Sequence, residues 1–188
     1  MSRIAMMFGL AMGLHTGSAI AATVNLQWNG SGCPKVEEHT ESSGDKVLAK
    51  HDVTSSFTVK RGPGVRLMES RKNCTLIVSA EGHRAQFALE KVEIQGKVAA
   101  ASSKQELTVD VSSQGQGQTK SITLEGKSSS DSSFSVEKTL TESDQIWSSC
   151  DRGLMLNTKQ RIEGDDQHPA AASVESISYQ LKSKPCVK

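Results

Sequence analysis

The sequence predicts an all-β fold, a disulfide-stapled and mainly antiparallel β-sandwich, with a distorted β-barrel as the alternative. Three observations lead there. Apolar and polar residues alternate with period 2 in about ten or eleven short segments, each bounded by Gly, Pro, Asn or Ser. No segment repeats its apolar residues near a period of 3.6, as an amphipathic helix would. Four cysteines, an even number, stand in a chain that opens like an exported one.

Met1 to Ala21 reads as a secretory signal peptide. Arg3 is its positive region, Ile4 to Leu14 its apolar run, and Ala19-Ile20-Ala21 the small residues before cleavage. A membrane anchor would need about 20 apolar residues, and this run is shorter and contains Gly9 and Gly13. Ala22, not Cys, follows the expected cut, which argues against a lipoprotein. The expectation is a single β-rich domain over 22–188, long enough to bury a real core. It would be secreted or periplasmic, with no membrane span.

The chain of 188 residues carries 22 Lys+Arg against 21 Asp+Glu. Losing Arg3 leaves it neutral, so no global field gathers nucleic acid or anionic lipid, and any basic patch would be local. Lys182, Lys184 and Lys188 make the C-terminal end mildly basic, the pattern of a solvated tail. Four of the methionines fall in the expected signal, so the core must come from Val, Leu and Ile with Trp28, Phe57, Phe87, Phe134, Trp147 and Tyr179.

Thr23 to Trp28 alternates with Val24, Leu26 and Trp28 on one face, and Asn29-Gly30-Ser31-Gly32 stops it before Cys33-Pro34. Lys35 to Asp45 is polar and reads as loop. Lys46 to Ala49 and Ser55 to Lys60 read as short strands. Arg61-Gly62-Pro63-Gly64 is a strong breaker. Val65 to Asn73 is a polar lead into the strand Cys74 to Val78, and Glu81-Gly82-His83 is a turn.

Arg84 to Val98 is the longest alternating segment. Ala85, Phe87 and Leu89 share one parity and Val92, Ile94 and Val98 the other, so a bulge is expected at Glu90-Lys91. Leu107, Val109 and Val111 lead through the loose turn Ser112 to Thr119 to Ile122 and Leu124, a hairpin. Ser128 to Ser133 is a polar loop and Phe134 to Leu140 a strand. Leu154 to Ile162 is strand-like, Glu163 to Ala172 reads as loop, and Val174 to Leu181 alternates again.

Four cysteines allow three connectivities. Cys33 with Cys74 and Cys150 with Cys186 is favoured, because each bridge then stays within its own half of the chain. Zinc would call for close pairs such as C-x-x-C, and an oxidising compartment disfavours a reactive thiol. No catalytic, cofactor or metal motif stands out. His39, His51, His83 and His168 sit among polar neighbours and are expected to be solvated, not ligands. His51-Asp52 near a serine is two-thirds of a triad, a coincidence expected in so serine-rich a chain.

Glu163-Gly164-Asp165-Asp166 could offer oxygens to calcium, but an exposed acidic loop is the simpler reading. Trp147 beside Cys150 fits a core tryptophan packed on a disulfide better than a sugar-stacking ring. Asn29-Gly30-Ser31 and Asn73-Cys74-Thr75 match the glycosylation pattern.

Three stretches recur as an ordered set: Gly30-Ser31-Gly32-Cys33-Pro34, Arg71-Lys72-Asn73-Cys74 and Trp147-Ser148-Ser149-Cys150-Asp151. Together they resemble a family of secreted bacterial and fungal proteins catalogued as domain-of-unknown-function family 4360. Its members show G-[ST]-G-C-P, R-K-N-C and W-S-P-C-G in that order. Ser149 stands here where Pro is usual and Asp151 where Gly is usual. The resemblance spans about Asn29 to Tyr179. It implies export, a cysteine-stapled β domain and no established activity, and it carries over no catalytic residue.

Function is weighed accordingly. A non-enzymatic binding, interaction or structural protein fits the stapled β architecture, with an extracellular protein or glycan as partner and recognition on the loops Ser112–Thr119, Ser128–Ser133 and Glu163–Ala172. No cofactor and no nucleic acid are expected. A secreted hydrolase with a dispersed site, in which His and Asp/Glu converge on a Ser, is the alternative, and an inhibitor of another secreted enzyme a further one.

Overall fold

In a computed structural model, residues 23–33, 38–53, 56–81, 85–99, 104–124, 132–163 and 167–186 are described. The expected signal peptide, the turn at Gly82-His83, the Ser128–Asp131 stretch and the acidic Gly164–Asp166 lie outside them.

Among the described residues eleven strands follow one another: β1 (Thr23–Asn29), β2 (Glu38–Ser43), β3 (Lys46–Asp52), β4 (Thr58–Arg61), β5 (Arg71–Glu81), β6 (Ala85–Ala99), β7 (Lys104–Ser113), β8 (Thr119–Leu124), β9 (Ser132–Thr139), β10 (Leu154–Glu163) and β11 (Ala170–Pro185). Short 3-10 turns at Leu67–Ser70 and Glu142–Asp144 interrupt them. The expected all-β sandwich is what the chain forms. One sheet has the order β1-β5-β10-β7-β8 and the other β2-β3-β11-β6-β9, with β4 also paired to β11. All strand pairings are antiparallel, and the sheets stay open instead of closing into a barrel.

Alternation places the core. Leu76, Val78, Leu107, Val109, Val111, Leu154, Leu156 and Ile162 point inward from the first sheet, and Val47, Phe87, Leu89, Val92, Ile94, Ile177 and Leu181 meet them from the second. Each such side chain contributes about 1.5–3 kcal/mol by leaving water. The bulge expected at Glu90-Lys91 is present: Lys91 pairs with Gln180 and Leu89 with Leu181, leaving Glu90 without a partner in the register. The skipped residue keeps Phe87 and Leu89 facing the same core as Val92 and Ile94, which a continuous alternation would have separated.

Several segments read as loop carry strand: Ser112, Ser113 and Thr119 belong to β7 and β8, Ser132 and Ser133 open β9, and Arg71 to Asn73 open β5. Glu38–Ser43 forms β2, an edge strand held by β3. Its side chains are polar on both faces, so hydrophobic alternation gives no sign of it. Ala170–Ala172, at the end of the expected Glu163–Ala172 loop, opens β11 and pairs with both β4 and β6.

Candidate functional site

The first two motifs become one device. The turn after β1 donates the Gly32 N–H to the Asn73 carbonyl at 2.8 Å. Ser31 Oγ donates to Asn73 Oδ1 at 3.2 Å and accepts the Asn73 N–H at 3.3 Å. Cys33 is bridged to Cys74, with Cα atoms 5.2 Å apart. Gly30 has φ of 128°, and a Cβ there would lie 2.4 Å from the Asn73 carbonyl oxygen. A Cβ on Gly32 would lie 2.4 Å from the Phe57 ring. The motif residues are therefore spent on letting a turn lie flat against β5 above a buried phenylalanine.

The third motif does the same at the other end of the sandwich. Ser148 N–H donates to the Phe87 carbonyl at 2.8 Å, and Phe87 N–H donates to Ser148 Oγ at 2.9 Å. Ser149 N–H reaches Ser113 Oγ at 3.1 Å, which ties the segment to the other sheet. Cys150 is bridged to Cys186, with Cα atoms 5.8 Å apart. Trp147 is half-buried, and the Lys184 ammonium lies 3.9 Å from its ring centre. All four cysteines are thus bridged.

The described histidines do not converge. His39 is exposed on β2 and His168 is exposed before β11, while His83 lies outside the described residues. His51 was expected to be solvated and is instead fully buried. β3 runs three residues further than its apolar pattern suggested, so Val47, Ala49 and His51 all face inward. The imidazole stacks on the Trp28 ring from the opposite sheet, centroids 4.6 Å apart. Tyr179 lies behind, 6.0 Å from Trp28, and its hydroxyl is hydrogen-bonded to Thr158 across the sheets.

Neither His51 nitrogen nor Trp28 Nε1 has a protein partner. Burial pushes the His51 imidazolium down from its ordinary range, against the raising effect of Asp52, and pushes the Tyr179 phenol well up. This cluster holds no nucleophile beside a base, and it stands in the core instead of a cleft.

The surface with binding geometry is the outer face of the first sheet. Antiparallel register sets Arg71, Arg161 and Glu106 in one row, Asn73, Lys159 and Thr108 in the next, and Thr75, Asn157, Asp110 and Ser121 in a third. These rows border a shallow depression of about 470 Å³. Lys159 and Ser121 both hold Asp110, the latter at 2.7 Å. Burial alone would raise the Asp110 carboxyl, but these two hydrogen bonds and the lysine charge keep it below its ordinary value.

Arg161 is 3.3 Å from Glu163, one of the residues considered for calcium. Arg71 and Lys72 have no carboxylate partner among the described residues. The second sheet's outer face is different: Lys50–Asp52, Lys91–Glu137, Lys97–Glu175 and Gln180–Glu90 consume one another's charges and donors. Sequence reasoning missed the first face, although the odd positions Asn157, Lys159 and Arg161 of an alternating strand were a usable sign of it.

Comparison with known proteins adds the family and little else. No curated protein matches the chain. Among solved structures it is similar to one described as the cryo-EM structure of a giant freshwater prawn Macrobrachium rosenbergii extra small virus (XSV) VLP, at 10% identity over 96% of this chain and 92% of that one. The TM-score of 0.22 is too low for that likeness to carry an argument. A family model described as a domain of unknown function (DUF4360) matches residues 21–186. With nearly the whole of 22–188 matched, the chain belongs to the DUF4360 family.

Proposed function

We propose that this chain is an exported, disulfide-stapled binding module of one domain, released by cleavage after Ala21, whose recognition surface is the outer face of the five-stranded sheet. The observation that carries the reading is the contrast between the two outer faces. Around the depression on the first, Lys159 and Arg161 are paired with Asp110 and Glu163, but Arg71 and Lys72 have no carboxylate partner among the described residues; on the second, Lys50, Lys91 and Lys97 are each paired with a carboxylate. Two bridges and no free thiol support an oxidising destination, and no helix among the described residues is long and apolar enough to cross a membrane. The partner class is an extracellular glycan or protein, bound without covalent chemistry.

The test compares paired variants on arrayed glycans and on the source's secreted proteins. Asn157→Ala with Lys159→Ala alters the first face, and Gln95→Ala with Ser135→Ala alters the second. The first pair is expected to weaken any ligand held by the wild type at least tenfold, and the second to leave it bound. Equal loss in both pairs, or none in the first, overturns the assignment of the face. Absence of any retained glycan or protein overturns the binding reading itself.

A further inference from the structure

Leu67 and Met68 are the exposed large apolar side chains among the described residues, with 68% and 82% of their surface open. A single exposed Leu needs no explanation. These two are adjacent and sit in a turn that hydrogen bonds lock. Arg66 N–H donates to Glu69 Oε2 at 3.0 Å, Glu69 N–H donates to the Arg66 carbonyl at 2.9 Å, and buried Ser70 Oγ donates to the Leu67 carbonyl at 2.7 Å. The turn is therefore a knuckle held by three hydrogen bonds, and no described residue covers its apolar tip.

Cations flank the tip along the chain. Arg66 precedes it, Arg71 and Lys72 follow it, and Arg161 stands opposite Arg71 on the neighbouring strand. Glu69 is engaged by the turn and Glu163 by Arg161, which leaves Arg71 and Lys72 without a carboxylate partner among the described residues. A soluble polyanion would use the cations but gain nothing from Leu67 and Met68. An anionic bilayer uses both, with apolar side chains entering the headgroup boundary and cations resting on the charged surface.

We propose that the Arg66–Lys72 knuckle is a docking point for the surface of an anionic phospholipid membrane, with Leu67 and Met68 inserted and Arg66, Arg71 and Lys72 on the headgroups. This goes beyond the sheet-face reading in its partner and in the Leu67–Met68 tip, although Arg71 and Lys72 also border the depression on that face.

Co-sedimentation with unilamellar phosphatidylcholine vesicles containing roughly 30% phosphatidylglycerol tests it, since anionic lipid sets the surface potential. The full mature chain is expected to bind these and not pure phosphatidylcholine vesicles, and salt should weaken binding. Leu67→Ser with Met68→Ser should cost tenfold or more. Arg71→Gln with Lys72→Gln should cost about fivefold per charge. Leu67, Met68 and Arg71 are exposed and Lys72 is half-buried, and an unchanged thermal midpoint in each variant shows that the fold survives. Asn157→Ala, which probes the sheet face, should leave vesicle binding unchanged. No binding, equal binding to neutral vesicles, or full binding by the Leu67/Met68 variant overturns the proposal. Capture on dextran sulfate that ignores Leu67 and Met68, with no vesicle binding, would reassign the cations to a soluble polyanion.

Discussion

Burying the His51 imidazole against the Trp28 indole removes its water and provides no protein hydrogen bond in return. Such a site tolerates only the neutral ring, because charging it in the core is costly. The folded pKa lies below the unfolded value of about 6.5, so the unfolded chain binds the proton first. Stability is full above that value and falls as pH drops from about 6.5 toward the folded pKa. Urea titrations at pH 7.5 and 5.5 should show a lower midpoint at the acidic value. His51→Phe, which keeps a ring on Trp28 and cannot charge, should remove most of that difference. An equal acid loss in the variant would place the titration elsewhere. Gly32 permits a second residue-level prediction. Gly32→Ala sets a methyl 2.4 Å from the Phe57 ring, and should lower the unfolding free energy by about 1–3 kcal/mol in denaturant melts.

At the level of elements, the chain is stapled at two of the points where it changes sheets. After β1 it leaves the first sheet for β2 in the second, and Cys33 ties that exit to β5. After β9 it crosses back to β10, and Cys150 ties that crossing to the end of β11. The bridges close spans of 41 and 36 residues, so each restricts the unfolded chain substantially. Replacing Cys150 and Cys186 together by Ser should cost about 2–4 kcal/mol in denaturant melts, with the fold retained because both sheets keep their pairing. The Glu90 bulge invites a harsher test. Deleting Glu90 would turn either Phe87 and Leu89 or Val92 and Ile94 outward, and cooperative unfolding should disappear in calorimetry. A cooperative transition in that deletion would mean the strand can realign along β11.

For the whole molecule, export and stapling make a joint prediction. Protein recovered from the periplasm or medium should begin at Ala22, and non-reducing peptide mapping should give the two bridged pairs with no alkylated cysteine. Reduction should lower the thermal midpoint without abolishing the β spectrum, because the core of two packed sheets persists without the bridges. A start at Met1 would remove the export argument.

Much of this was available from local pattern. Period-2 alternation is a property of neighbouring residues, so the β class, the inward set on β6, β10 and β11, the β7–β8 hairpin and the slip at Glu90 could all be read from the chain. Pairing, by contrast, joins residues far apart in sequence, and no local signal states it. The central position of β5 and β10, the edge strand β2 with its polar faces, and the meeting of the first two motifs at Asn73 appeared only in the folded chain. The burial of His51 had the same origin. Its own neighbours are Lys50 and Asp52, both polar, and only Trp28 arriving from the other sheet makes that position interior. The candidate surface was hidden for the converse reason: Arg71, Asn157 and Lys159 look like ordinary solvent-facing positions one strand at a time, and become a patch only when β5, β10 and β7 set them side by side.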